Sequence, residues 1–204
     1  MRRPVISRRR FAAAATAAGL TGLVGPARAQ RRPQATAVCT DGAADATARQ
    51  TAGPYYTADT PRRTSLLEAG IRGRPLVLVG RVVDTACRPL PGALLDFWQA
   101  DDDGVYDNDG FRLRGHQLAD ADGNYRLETV KPGAYGGLFF RRTPHLHVRL
   151  QGRDTRVLTT QLYFPDEAKR NAADSIYRDS LLVDLATGPD SVLEARFYFV
   201  LARV

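Results

Sequence analysis

The sequence predicts an all-β fold, an antiparallel β-sandwich forming a single domain with long loops. Three observations point there. Short runs rich in β-branched and aromatic residues recur along the 204-residue chain. Clusters of Gly, Pro and Asp separate these runs at short intervals, as hairpins and sandwich corners require. Only one segment, DEAKRNAADSIY (166–177), has helical composition, and there is no internal repeat, sustained heptad or nucleotide-binding glycine loop.

Residues 1–29 have the layout of an export signal. Five arginines (2, 3, 8, 9 and 10) precede a short apolar run, Phe11 to Val24, and ARA at 27–29 supplies a small-residue cleavage site. SRRRF resembles a twin-arginine signal, which exports proteins already folded; an ordinary secretory signal is the alternative. The run is too short and too weakly apolar for a transmembrane helix, so no stable membrane span is expected in the mature chain. The leader holds six arginines and no acid, so its removal takes the formal net charge from +7 to +1. No basic patch then argues for nucleic acid. The mature protein is expected outside the cytoplasm, periplasmic or extracellular. In that oxidising setting Cys39 and Cys87 read as a disulfide, closing a loop of about 50 residues worth at most on the order of 4 kcal/mol.

Residues 30–52 lack periodicity and read as an extended arm, leaving 53–204 as the sandwich. PLVLVGRVVD (75–84) is β-branched and partly alternating, and CRPLPG is a turn. ALLDFWQA (93–100) is the next strand, followed by the turn-rich DDDGVYDNDG. In DADGNYRLETV (120–130) a turn leads into a strand with Tyr125, Leu127 and Thr129 on one face. PHLHVRLQG (144–152), RVLTTQLYF (156–164) and LEARFYFVLARV (193–204) complete the set. Trp98 reads as core, His116 as a loop histidine, and Tyr55 and Tyr56 as packing residues or the rim of a pocket.

Chemistry concentrates in RRTPHLHVRL (141–150), which holds two of the chain's three histidines. Residues two apart on a strand share a face, so His145, His147 and Arg149 lie opposite Leu146, Val148 and Leu150. Both imidazoles then lie within reach of one metal ion, although an ordinary hydrogen-bonded pair fits the spacing equally well. Tyr135 follows a Pro-Gly turn ten residues upstream, and Tyr106 stands in the acidic turn before it. Two imidazoles and two phenolates form a hard, anionic set suited to a trivalent ion, and Fe(III) is the available one.

These pieces, in order, resemble the intradiol ring-cleavage dioxygenases, the family of catechol and protocatechuate 3,4-dioxygenases. The matching stretches are TAGPYY (51–56), GRVVDTACRPLPGALLDFWQADDDGVY (80–106), DADGNYRLETVKPGAY (120–135), RRTPHLHVRL (141–150) and LTTQLYF (158–164). The resemblance implies a β-sandwich holding non-haem Fe(III) through Tyr106, Tyr135, His145 and His147. It implies Arg142 as the arginine that stabilises charge on the substrate ring, and Gln161 as a further site residue. The implied substrates are a small aromatic diol and O2, and the implied product is a cis,cis-muconate-type diacid. Tyr106 is expected to leave the metal and take a substrate proton, with Tyr135 and His145 as fixed ligands. Gly136 and Gly137 stand where some relatives carry bulk, so a reshaped pocket is expected. The chain looks too short for the helical N-terminal dimerisation region of catechol 1,2-dioxygenases, which leaves a homo-oligomer open. Two rival readings remain: an exported β-sandwich binding or structural module without catalytic metal, and an HxH site for copper or zinc.

Overall fold

The computed structural model describes residues 44–137 and 141–204. The leader 1–29, the arm as far as residue 43 and Cys39 lie outside the described residues. Ten strands follow in order: β1 (Pro75–Asp84), β2 (Leu94–Trp98), β3 (Arg114–Leu118), β4 (Asn124–Val130), β5 (Tyr135–Gly136), β6 (Arg141–Arg142), β7 (His145–Gln151), β8 (Leu158–Tyr163), β9 (Asp184–Thr187) and β10 (Leu193–Leu201). They form two four-stranded sheets, β4-β1-β10-β9 and β3-β2-β7-β8, with β5-β6 as a separate two-stranded ribbon.

The sandwich is as expected, with one departure from a purely antiparallel fold: β1 and β10 pair in parallel, from Leu76↔Leu193 to Asp84↔Leu201. Alternation explains the core. Leu78 and Val82 of β1, Leu127 of β4 and Phe197 and Phe199 of β10 point inward. They meet Leu95 and Phe97 of β2, Leu146, Val148 and Leu150 of β7, and Leu162 of β8. Each buried Phe contributes about 1.5–3 kcal/mol relative to exposure. Gly80 allows the parallel pairing to close, because a Cβ there would lie 1.7 Å from the Phe197 carbonyl oxygen. The Tyr125 hydroxyl uses the gap to donate to that same oxygen at 2.9 Å.

The acidic turns satisfy their own backbones. Asp120 Oδ1 accepts the N–H groups of Asp122 and Asn124, which brings the chain into β4. Asp107 does the same through both oxygens for Asp109, Gly110 and Arg112. The described end of the arm, 44–52, crosses both sheets. Thr47 N–H donates to Val200 O of β10 and Gln50 N–H to Thr159 O of β8. The helical segment is shorter than predicted: a 3-10 turn (Pro165–Glu167) leads into α1 (Ala168–Ala173), and the chain turns at Asp174. His116 lies in β3 and not in a loop; its Nδ1 donates to the Thr60 carbonyl at 2.7 Å. Among the described residues no helix is long and apolar enough to cross a membrane.

Candidate metal centre

The site lies on the outer face of the β3-β2-β7-β8 sheet, where strand register lines up one residue per strand. Arg114 of β3 stands opposite Trp98 of β2, Trp98 opposite His147 of β7, and His147 opposite Gln161 of β8. His145, two residues earlier on β7, shares the face. At this end the face is buried as thoroughly as the core, with His145 2% exposed and His147 1%, whereas Arg149 further along β7 is exposed. Trp98, read as core, is indeed buried, but it lies flat on His147 with centroids 4.8 Å apart and planes 6° from parallel.

Four rings close around one point. Tyr106 meets Tyr135 edge-on at 5.3 Å, and Tyr135 meets His145 at 5.4 Å. His145 meets His147 at 4.8 Å, and His147 meets Tyr106 at 6.4 Å. The two histidine Nε2 atoms face each other at 3.2 Å. His145 Nδ1 lies 2.6 Å from the Thr143 carbonyl, which can only accept, so the Nδ1 proton is fixed and Nε2 presents a lone pair. The Tyr106 hydroxyl is buried without a hydrogen-bond partner among the described residues. Burial pushes His145 down to about 4 and His147 well down, with neighbouring positive charge adding to both. Burial also raises the Tyr106 and Tyr135 phenols. Alone, the four groups are neutral donors turned on one another; a cation among them would coordinate the lone pairs and displace the phenol protons. Among the described residues no three of His, Cys, Asp and Glu converge, and the remaining side-chain donors beside the two histidines are the oxygens of Tyr106 and Tyr135.

Residues 51–203, which contain all four rings, match the family model described as dioxygenase. The chain is 46% identical to the dioxygenase domain of a dioxygenase–carbohydrate-binding protein fusion from the cellulolytic bacterium Streptomyces sp. SirexAA-E. That similarity covers 78% of this chain and all of that domain, with a TM-score of 0.72. It is 31% identical to hydroxyquinol 1,2-dioxygenase of Rhodococcus opacus over 76% of this chain. This protein belongs to the intradiol ring-cleavage dioxygenases. The 3-chlorocatechol 1,2-dioxygenase of Rhodococcus opacus shares the fold and 26% identity, covering 80% of this chain and 74% of that one with a TM-score of 0.72. The chain spans 59% of the length of the hydroxyquinol relative.

Around the four rings this family member places a layer of buried charged and polar side chains. Arg142 Nε donates to Asp174 Oδ2 at 2.7 Å and Nη2 to Gln161 Oε1 at 2.5 Å, with all three side chains buried. Burial opposes the Arg142 charge, but the bond to Asp174 outweighs it and holds the guanidinium above its ordinary value. Gln161 is fixed in turn by donation to the Thr51 carbonyl at 2.9 Å, so the arm supports the site. Asp174 also accepts the Thr143 N–H at 3.1 Å, placing the residue whose carbonyl orients His145. A cavity of about 620 Å³ opens beside the two tyrosine rings, lined by Tyr55, Tyr106, Tyr135, Gly136, Arg142 and Ile176 among others. Gly136, at φ 116°, contributes no side chain to that wall.

The structure therefore brings together Tyr106, Tyr135, Arg142, His145, His147 and Gln161. It separates the two tyrosines near the arm. Tyr55 stacks on Tyr106 at 4.3 Å and 16° and lines the cavity. Tyr56 turns away, donating to Asp96 and meeting Trp98 edge-on. Asp174 and Arg114 are site residues that sequence reading missed. Asp174 carries no local signal, being 32 positions from its partner, and Arg114 becomes visible only once β3 is recognised. Cys87 is disulfide-bonded, and Cys39, the sequence's other cysteine, lies outside the described residues.

Proposed function

We propose that the protein is an exported Fe(III) enzyme that cleaves a catechol-type aromatic diol between its two hydroxylated carbons with O2, giving a cis,cis-muconate-type diacid. One observation carries the proposal: two imidazole Nε2 atoms 3.2 Å apart inside a ring of four, beside a buried tyrosine hydroxyl with no partner among the described residues. A module without metal would bear that orphaned hydroxyl as an uncompensated cost of about 1–3 kcal/mol. Tyr106, Tyr135, His145 and His147 would hold the iron, and two phenol oxygens fit a hard ferric ion better than copper or zinc. Bound iron supplies a Lewis acid that draws electron density from the diol ring and opens it to O2.

The chain's own residues do the rest. The burial of the two tyrosines favours exchanging the roles expected for them from sequence. Tyr106 is 6% exposed and capped by Tyr55, which supports assigning it as the ligand that stays in place. Tyr135 is half-buried at the cavity wall, with its hydroxyl oxygen 3.5 Å from Arg142 Nη1. Tyr135 is therefore the side chain free to accept a proton from a substrate hydroxyl, with Arg142 beside it. Arg142, aimed by Asp174 and Gln161, offsets negative charge that builds on the ring. Burial of both histidines keeps water off that side of the site. Export is supported by the SRRRF leader and by the disulfide at Cys87.

Iron-loaded protein tested on catechol, hydroxyquinol and substituted catechols under 18O2 decides the matter. The expected result is a red-brown protein and a diacid carrying label from both oxygen atoms. A yellow muconic semialdehyde, or activity that requires Fe(II), would overturn the proposal.

A further inference from the structure

Arg114 stands at the β3 end of the row that carries Trp98, His147 and Gln161, and it is 1% exposed. Its guanidinium makes three hydrogen bonds, all to carbonyl oxygens. Nη1 donates to Tyr55 O at 2.5 Å, Nη2 to Asp107 O at 2.6 Å and Nε to Asp107 O at 3.2 Å. Among the described residues no carboxylate oxygen lies within ion-pair distance of it, whereas Arg142 has Asp174 and the Asp84 carboxylate has Arg88 and Arg203. The carboxylate of Asp107 is engaged by the N–H groups of its own turn.

Burying a guanidinium without a contacting countercharge costs several kcal/mol, so holding two carbonyls is a poor reason for it by itself. The identity of the carbonyls supplies a better one. One belongs to the residue directly after Tyr106. The other belongs to Tyr55, whose ring covers Tyr106 at 4.3 Å and 16°. A single rigid fork thus fixes the backbone behind Tyr106 and the ring that caps it. The Arg114 charge also lies within electrostatic range of Tyr106.

We propose that Arg114 is a positioning residue for Tyr106, clamping the Tyr55–Tyr106 stack so that the Tyr106 oxygen stays aimed at the metal. The inference rests on the iron-binding reading above. Lysine keeps the charge but cannot hold two carbonyls from one plane, so Arg114→Lys separates the clamp from simple charge.

The test uses the iron-loaded protein and four chains: wild type, R114K, Y106F and the double variant. Four readouts are taken: the visible phenolate-to-iron band, the rate of iron loss to a chelator, kcat and KM, and circular dichroism of the iron-free protein. R114K should shift and broaden the band, lose iron about tenfold or more faster, and lower kcat more than it raises KM. Near-UV circular dichroism of the iron-free protein should change in the tyrosine region, while the far-UV spectrum stays that of wild type. In the Y106F background R114K should add nothing to iron loss, because the group it positions is gone. Were R114K to fold poorly, Y55A would remove the capping ring and should give the same band shift. A wild-type band and chelator rate in R114K, or effects that add to those of Y106F, would sink the proposal alone. A wild-type protein with no iron band would end both this proposal and the reading beneath it.

Discussion

Replacing Asp174 by Asn tests whether the buried ion pair behind the cavity aims Arg142. The carboxylate is 1% exposed and the guanidinium 4%, with Nε–Oδ2 at 2.7 Å. Breaking a buried pair on one side costs about 3–5 kcal/mol, because the surviving charge stays buried. Asn keeps the shape, and Arg142 keeps its bond to Gln161 at 2.5 Å, so about 3 kcal/mol, the low end, is expected. For a domain of this size that is a fall in Tm of about 6–12 °C. Urea unfolding of the iron-free protein is the assay, since bound metal would add its own stabilisation. The reaction is affected separately. With Asp174 neutral, both the guanidinium and Thr143, whose carbonyl orients His145, lose their anchor. Misplacing such groups lowers kcat by about a hundredfold. The reasoning fails if D174N behaves like a surface substitution, within about 0.5 kcal/mol of wild type, and turns over catechols at an unchanged rate.

Three further outcomes are expected. Tyr135→Phe should lose most turnover while keeping iron, and Tyr106→Phe should lose the visible band and iron affinity; the reverse pattern, read by metal analysis and steady-state kinetics, would restore the roles expected from sequence. Burial alone would raise the Asp84 carboxyl, but bonds from Arg203, Arg88 and two backbone N–H groups hold it at about 2, against an ordinary 3.8. That stabilisation is present above the unfolded value and is lost as pH falls through the folded one. Asp84→Asn should therefore remove about 2 kcal/mol at neutral pH and flatten the stability curve between about pH 4 and 2, and an unchanged acid limb in urea titrations would refute this. Finally, Cys87 should pair with Cys39, so non-reduced exported protein should show no alkylated thiol by mass spectrometry, and two modified cysteines would refute the pairing.

Much of this architecture was legible locally. The strand 75–84 is found where β-branched alternation placed it, and the period of two in HLHVRLQ assigned Leu146, Val148 and Leu150 to the core. Self-capping carboxylates such as Asp120 made the turns readable. The helix prediction over 166–177 failed at Asp174 for a tertiary reason. Its carboxylate is taken by Arg142 and the Thr143 N–H, and its backbone is extended. The parallel β1–β10 pairing joins strands more than a hundred residues apart and leaves no local trace.

The metal centre divides along the same line. His145 and His147 share one strand, so their spacing alone declares a common face. Arg114, Trp98 and Gln161 reach that face only through register, and register is a property of pairs of strands. β3, RGHQL, has no β-branched residue, and its Arg and His point to the same side as the site. Read by itself it is a polar loop; read in register it supplies the buried cation behind Tyr106. A residue's chemistry can be inferred from its type, but its membership in this site follows from which strand lies beside it. The groups proposed as ligands were therefore visible in the sequence, and the groups that hold them in place became visible only in the paired sheet.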